Sequence, residues 1–220
     1  MCTAAVAALP VGGAGLSAMS RTAASHPLCS TDEVSGRLEE LQLTLGEGPC
    51  VEAFARGSAV LTPDLRTAGL RAHWAVFADA ALEAGARAVF SLPLRVGAVS
   101  PGVLDLYAGV PTVLDARELA DALAFADLAA VLLLDTVIGE AGAPVPVGSS
   151  SGLSAYRAEI DQASGMLAIQ LGVGVEEAFA RLRAHSYAQG RQLVDVAADV
   201  VARRLRFSPG AEGDRAGEET

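Results

Sequence analysis

The chain has 220 residues, 51% of them hydrophobic, and a formal net charge of −10. That is enough chain for two small domains with real cores, and too acidic for a protein that coats nucleic acid indiscriminately. All 16 basic residues are arginine; residues 1–150 carry 8 of them against 16 acids, whereas residues 151–207 carry 7 against 6. Any polyanion-binding surface is therefore expected in the near-neutral C-terminal part, and expected to be local.

Met1–Ser20 is apolar but has no basic residue before Arg21, so it lacks the charged start of a secretory signal. Ala14–Met19 and Pro27–Ser30 read as short strands. Glu33–Leu45 places Val34, Leu38, Leu41 and Leu45 at helical spacing. Gly46-Glu47-Gly48-Pro49 reads as a tight turn, Ala59–Thr62 as a strand, and His73–Ala84 as a helix stopped by Gly85. Ala88–Leu94 and Gly102–Tyr107 have the Val, Leu and aromatic content of strands. Ala116–Ile138 predicts a long helix, apolar on more faces than its own sheet can cover, and so expected to meet a partner helix in a homodimer. No uncharged run reaches the ~18 residues of a membrane span, and a cytoplasmic location is expected.

Residues 139–152, GEAGAPVPVGSSSG, have the composition of a flexible linker. Beyond it, Leu153–Leu171, Val175–Ala188 and Gln192–Phe207 predict three helices, divided by Gly172–Gly174 and Gly190. Residues 208–220 read as a disordered polar tail. The expected fold class is α+β: an antiparallel sheet with packed helices over 1–138, then an all-α three-helix domain over 153–207.

Residues able to carry chemistry are few. Cys2, Cys29 and Cys50 are odd in number and lack CxxC spacing, so neither a disulfide framework nor a zinc site is expected, and a reducing compartment fits. Cys50 reads as a buried structural cysteine, with a redox-sensing thiol as the alternative. His73 and Trp74 are the candidates to line a ligand pocket; packing of a helix on the sheet is the simpler reading. Asp105 reads as an outward-facing strand position. The three histidines are far apart, and GxSxG, HExxH and phosphate-loop motifs are lacking, so neither enzyme nor cofactor is expected.

In the C-terminal part three apolar stripes predict a core: Ile160, Ala163, Leu167 and Leu171; Ala178, Phe179 and Leu182; Leu193, Val196, Ala197, Val200 and Val201. Gly165 is expected to permit close helix approach. Between the stripes, Arg181, Arg183, His185, Ser186, Tyr187, Arg191 and Gln192 gather at the end of the second helix and the turn after it. Arginine can pair with phosphate or a guanine edge, and an aromatic ring can stack on an exposed loop base. The alternative is a solvated face with Tyr187 closing the core. Arg203, Arg204 and Arg206 are expected in the last turn of the third helix, complementing its dipole or touching phosphate.

Three segments carry a family resemblance. LEELQLTLGEGPCVEAF (Leu38–Phe54), AVFSLPL (Ala88–Leu94) and GVLDLYAG (Gly102–Gly109) resemble the GAF domains that precede ANTAR domains in actinobacteria. Glu159–Phe207 resembles the ANTAR domain, with Gln162-Ala163, Gly165, Ala178, Leu182-Arg183 and Ala197 in register across three helices. The resemblance implies a module that binds paired stem-loops in nascent messages, usually as a dimer, and prevents a transcription terminator from forming. The GAF part would act as sensor, taking an unknown small molecule, or as a dimerisation module. The implied RNA-binding residues are Gln162, Ser164, Arg183, Ser186, Tyr187, Arg191 and Gln192; many members carry Lys where this chain has Ser164. Two alternatives stand beside this reading: a DNA-binding helix-turn-helix regulator, and a ligand-binding dimerisation module without a nucleic-acid role. For the former, Asp195, Ala198, Asp199 and Ala202 on the third helix suit a major groove poorly.

Overall fold

The computed structural model describes residues 1–19, 26–140 and 151–208. The chain divides into two compact units, residues 1–153 and 154–220. The first opens with α1 (Cys2–Ala8), β1 (Gly13–Ala18) and β2 (His26–Ser30), followed by α2 (Glu33–Leu45), α3 (Pro49–Arg56) and β3 (Val60–Thr62). It continues through α4 (Ala68–His73), α5 (Ala75–Glu83), β4 (Ala88–Val96), β5 (Val99–Ala108) and the long α6 (Ala116–Glu140).

The five strands form one antiparallel sheet in the order β2-β1-β5-β4-β3. Both faces are covered, which is why β4 and β5 read as almost unbroken apolar runs rather than alternating ones. One face carries Ala14, Phe90, Leu92, Leu104 and Leu106, packed beneath α1 and α6. Against the other face lie α2, α3 and α5, with Leu38, Trp74, Phe77, Val89 and Tyr107 in one cluster and Cys50, Ala53 and Val103 in another.

Local chemistry sets the helix ends. Asp32 caps α2, accepting from the Ser35 amide at 2.8 Å while Ser35 Oγ accepts from the Asp32 amide. Gly46 closes α2 in the left-handed region. The expected turn at Gly46–Pro49 is real but short: Pro49 takes the first position of α3, where its missing N–H is no loss. The helix expected over His73–Ala84 is α5, starting two residues later at Ala75; a further short helix before it, α4 (Ala68–His73), was not expected, and Trp74 lies between the two.

Asp105 is a correction. It is buried, because helices cover both sheet faces and no position at the centre of β5 looks outward. The cysteines are another: Cys2 and Cys29 are joined by a disulfide. α1 packs on β1, and β1 pairs with β2, so the fold unites two residues whose sequence spacing gives no sign of it.

The second unit contains α7 (Ser151–Leu171), α8 (Val175–Ala188) and α9 (Leu193–Val201). Ile160, Ala163 and Leu167 of α7, Ala178 and Leu182 of α8, and Leu193, Val196, Ala197 and Val200 of α9 are buried. α9 stops well short of the expected Phe207, so Arg203, Arg204 and Arg206 lie beyond the helix rather than in its last turn. A Cβ placed on Gly165 meets nothing within 4 Å, so this glycine does not serve close helix approach. The expected linker falls mostly on residues 141–150 and the expected tail mostly on 209–220, outside the described residues. Among the described residues, no helix is long and apolar enough to cross a membrane.

Candidate nucleic-acid interface

The helical unit separates the seven expected RNA-binding residues into two groups. Ser164 and Ser186 are buried. Ser164 Oγ donates to the Ile160 carbonyl one turn back at 2.8 Å, and Ser186 Oγ donates to the Arg191 carbonyl at 2.6 Å. Both hydroxyls are used internally, Ser186 to pin the turn between α8 and α9, and neither is presented to a ligand. Gln162, Tyr187, Arg191 and Gln192 are exposed.

Arg183 lies between these groups. Its guanidinium sits 5.0 Å from the Phe179 ring centroid, its Nε is buried with no hydrogen-bond partner, and burial pulls its pKa down. This is a cation–π shelf on α8, with only part of the fork open to solvent. Arg191 donates to Asp199 at 2.7 Å, and Arg204 holds the other oxygen of the same carboxylate, also at 2.7 Å. The two guanidiniums hold the Asp199 carboxyl below its usual range. Arg181 pairs with Glu177 at 2.6 Å, and His185 stacks on Phe207 at 5.0 Å. What faces outward at the α8–α9 turn is therefore an exposed phenol ring (Tyr187, 55% exposed), an amide (Gln192), and one guanidinium whose carboxylate partner a phosphate could replace.

In the first unit the two pocket candidates do not form a site. His73 is exposed and contacts Glu52 at 2.6 Å; Trp74 is buried edge-on against Phe77. Packing is what Trp74 does.

The sequence reading missed the polar cluster under the opposite end of α2. Asp105 lies at the centre of the sheet, paired across it with Gly15 on one side and Ser91 on the other. It accepts from Ser91 Oγ and from Gln42 Nε2, the latter at 3.0 Å. Gln42 Oε1 accepts from the Cys50 amide at 2.7 Å, tying α2, α3, β4 and β5 together. Glu39 lies against Gly15, where a side chain would collide with it, and accepts from Ser17 Oγ. Burial, then the charge of Asp105, pushes the Glu39 carboxyl well up. Burial also raises Asp105, opposed by the hydrogen bonds it accepts from Ser91, Gln42, Glu39 and Cys50. The arrangement brings two carboxyl groups together in the core, both pushed above their usual range and Glu39 well above it. Burial first, then Asp105 and Glu39, raise the Cys50 thiol well above its usual value, so it is the inert structural cysteine rather than a reactive thiolate. The available signal was the pair Glu39 and Gln42, three apart on the face that carries Leu38 and Leu41.

A five-stranded antiparallel sheet with helices on both faces is followed by a separate helical unit, a two-domain plan. Family comparison agrees. The GAF domain model matches residues 3–134 and the ANTAR domain model matches residues 154–201. The chain belongs to the GAF domain family and carries an ANTAR domain, an RNA-binding antitermination module.

Among solved structures, a domain described as part of a two-component sensor histidine kinase from Sinorhizobium meliloti 1021 is similar, with a TM-score of 0.52 at 14% identity, covering 64% of this chain and 90% of that one. The GAF domain region of a protein described as a membrane protein, from Geobacter sulfurreducens PCA, gives 0.49 at 12% identity, covering 62% and 88%. A type II free methionine-R-sulfoxide reductase from Thermoplasma acidophilum gives 0.46 at 16%, covering 61% and 87%. Comparison with curated proteins returns no match.

Proposed function

We propose that this protein binds stem-loops in nascent messenger RNA through its helical unit and acts as a transcription antiterminator, under control of its GAF domain. The observation that carries the reading is the coincidence of the ANTAR match over 154–201 with the exposed Tyr187, Arg191 and Gln192 at the α8–α9 turn. Tyr187 supplies a face on which an unpaired loop base stacks. Arg191 and the open part of Arg183 supply guanidiniums for phosphate or a base edge. Gln162, exposed on α7, extends the surface. Acting on nascent RNA places the protein in the cytoplasm.

The functional form is a homodimer. α6 exposes Leu123, Leu128, Val131 and Leu132 along its length, an apolar stripe that suits a second copy of the same helix. Two copies also supply the affinity that a near-neutral RNA-binding unit lacks alone. The GAF domain takes a small molecule as its signal, and nothing in the reading requires catalysis.

The test is binding of the full chain to labelled RNA hairpins, to unrelated single-stranded RNA and to duplex DNA across a salt series. The expected result is a preference for hairpins, lost in Tyr187→Ala with folding intact. A preference for duplex DNA supports a helix-turn-helix regulator instead. The exposed or half-exposed side chains of α9 make that outcome unexpected: Asp195 and Asp199 would face phosphate.

A further inference from the structure

A second surface of the helical unit lies away from the α8–α9 turn. Met166 and Ile169 of α7, Val200 of α9, and Leu205 beyond it floor an open groove of about 230 Å³, with Arg203 and Arg206 also lining it. We propose that this groove receives one unpaired nucleobase of the bound RNA, with Arg203 and Arg206 holding the phosphates beside it. The proposal rests on the RNA-binding reading above and adds a second contact site to it.

Three observations converge. The first is size and polarity. The groove is smaller than the roughly 300 Å³ at which pockets for drug-sized ligands begin, and its floor is apolar. Ile169 is 88% exposed, an aliphatic side chain left uncovered in the free protein.

The second is charge. Of the arginines in this unit whose side chains are described, Arg181 pairs with Glu177, Arg191 and Arg204 share Asp199, and Arg183 lies on Phe179. Arg203 and Arg206 have no carboxylate partner among the described residues, and both line the groove. Unpaired guanidiniums at an apolar slot match a base flanked by phosphates, since arginine meets phosphate with a fork of donors and the slot takes the ring.

The third is backbone conformation. α2, α3, α7 and α8 are each followed by a glycine in the left-handed region: Gly46, Gly57, Gly172 and Gly190. After α9 that position is held by Arg203, at φ 60°, the one non-glycine with positive φ among the described residues. A side chain there is strained where glycine would not be. The strain is understandable if the arginine serves a ligand.

The experiment uses the full chain and three probes: a labelled RNA hairpin pool with one stem and a randomised loop, the same stem with an abasic loop, and the same stem as a blunt duplex. Arg203→Gly is expected to melt at or above the parent temperature, bind the randomised-loop hairpins several-fold more weakly, and show a salt slope lower by about one. Ile169→Ser is expected to weaken binding to the randomised-loop hairpins and leave the abasic-loop hairpin unaffected, because only the base is lost. If the parent prefers hairpins and both variants bind them as tightly as the parent, the groove proposal falls and the RNA-binding reading stands. If the variants change the oligomeric mass in light scattering but not RNA affinity, a second copy occupies the groove and the proposal falls. If the parent shows no preference for hairpins over blunt duplex, both fall.

Discussion

Replacing Glu39 by Gln should make the first domain more stable at neutral and alkaline pH. The carboxyl of Glu39 is held well above its ordinary value of 4.5, first by burial and then by Asp105. Between the unfolded and folded pKa values the native state therefore holds a proton that the unfolded chain has released. Stability from this group is fully present below about pH 4.5 and is lost as pH rises through the folded pKa. One proton sets the slope, at most about 1.4 kcal/mol per pH unit. Glutamine keeps the shape and an oxygen to accept from Ser17, and it has no proton to lose.

The gain of Glu39→Gln over the parent should be near zero at about pH 5 and grow towards pH 8. Asp105→Asn should behave differently, because Asp105 is the common acceptor for Ser91 and Gln42. Leaving buried donors without an acceptor costs about 1–3 kcal/mol at every pH. The assay is urea unfolding from pH 5 to 8, read by the fluorescence of Trp74, the single tryptophan, which is buried beneath this same face. Parallel pH curves for parent and Glu39→Gln, or a marked loss of stability in Glu39→Gln at pH 8, would refute the assignment of a raised carboxyl to Glu39.

Four further outcomes are expected. Gly48→Ala should lose about 1–3 kcal/mol in the same unfolding assay: Gly48 has φ 124°, and a Cβ there would lie 3.0 Å from Gln42 and 3.2 Å from Phe77. Arg183→Ala should cost about 1 kcal/mol of stability through loss of the Phe179 contact, and weaken hairpin binding beyond that in a gel-shift titration. Leu128→Glu should convert the full chain from dimer to monomer in light scattering while leaving Trp74 fluorescence unchanged. Cys50 should resist alkylation at pH 8 in the folded protein and react once urea unfolds it, followed by mass spectrometry.

The elements that periodicity alone can specify were legible. α2 and α8 span the residues expected from their apolar spacing, and β4 and β5 contain the two expected strand cores. What misled the reading was punctuation. Proline after a Gly-rich turn begins α3, because its N–H is dispensable there, and the helix's eight residues are too few to show a stripe. Trp74 sets the start of α5 and separates it from the unexpected α4, its ring buried beside Phe77 while His73, one residue earlier, stays at the surface. α9 ends early because Arg203 turns left-handed, which its side-chain type disfavours and only the packed fold reveals. The Cys2–Cys29 bond depends on the β1–β2 pairing and the seat of α1, both non-local.

The candidate site was legible in place but not in detail, and the reason is the small polar residue. A polar side chain between apolar stripes is expected to face water, and for Gln162, Tyr187, Arg191 and Gln192 it does. A serine need not, since its hydroxyl can return to a backbone carbonyl of its own helix or the next turn and enter the core satisfied, as Ser164 and Ser186 do. Gln42 and Asp105 follow the same rule at larger scale, each buried with the other as partner, and Glu39 beside them takes its hydrogen bond from Ser17. Arginine count misleads in the opposite direction. Seven arginines stand in 151–207, but Asp199 alone engages two of them and Glu177 a third. The charge left for an anionic partner is set by pairing rather than by number, and pairing leaves it on Arg183 over Phe179 and on Arg203 and Arg206 beyond α9.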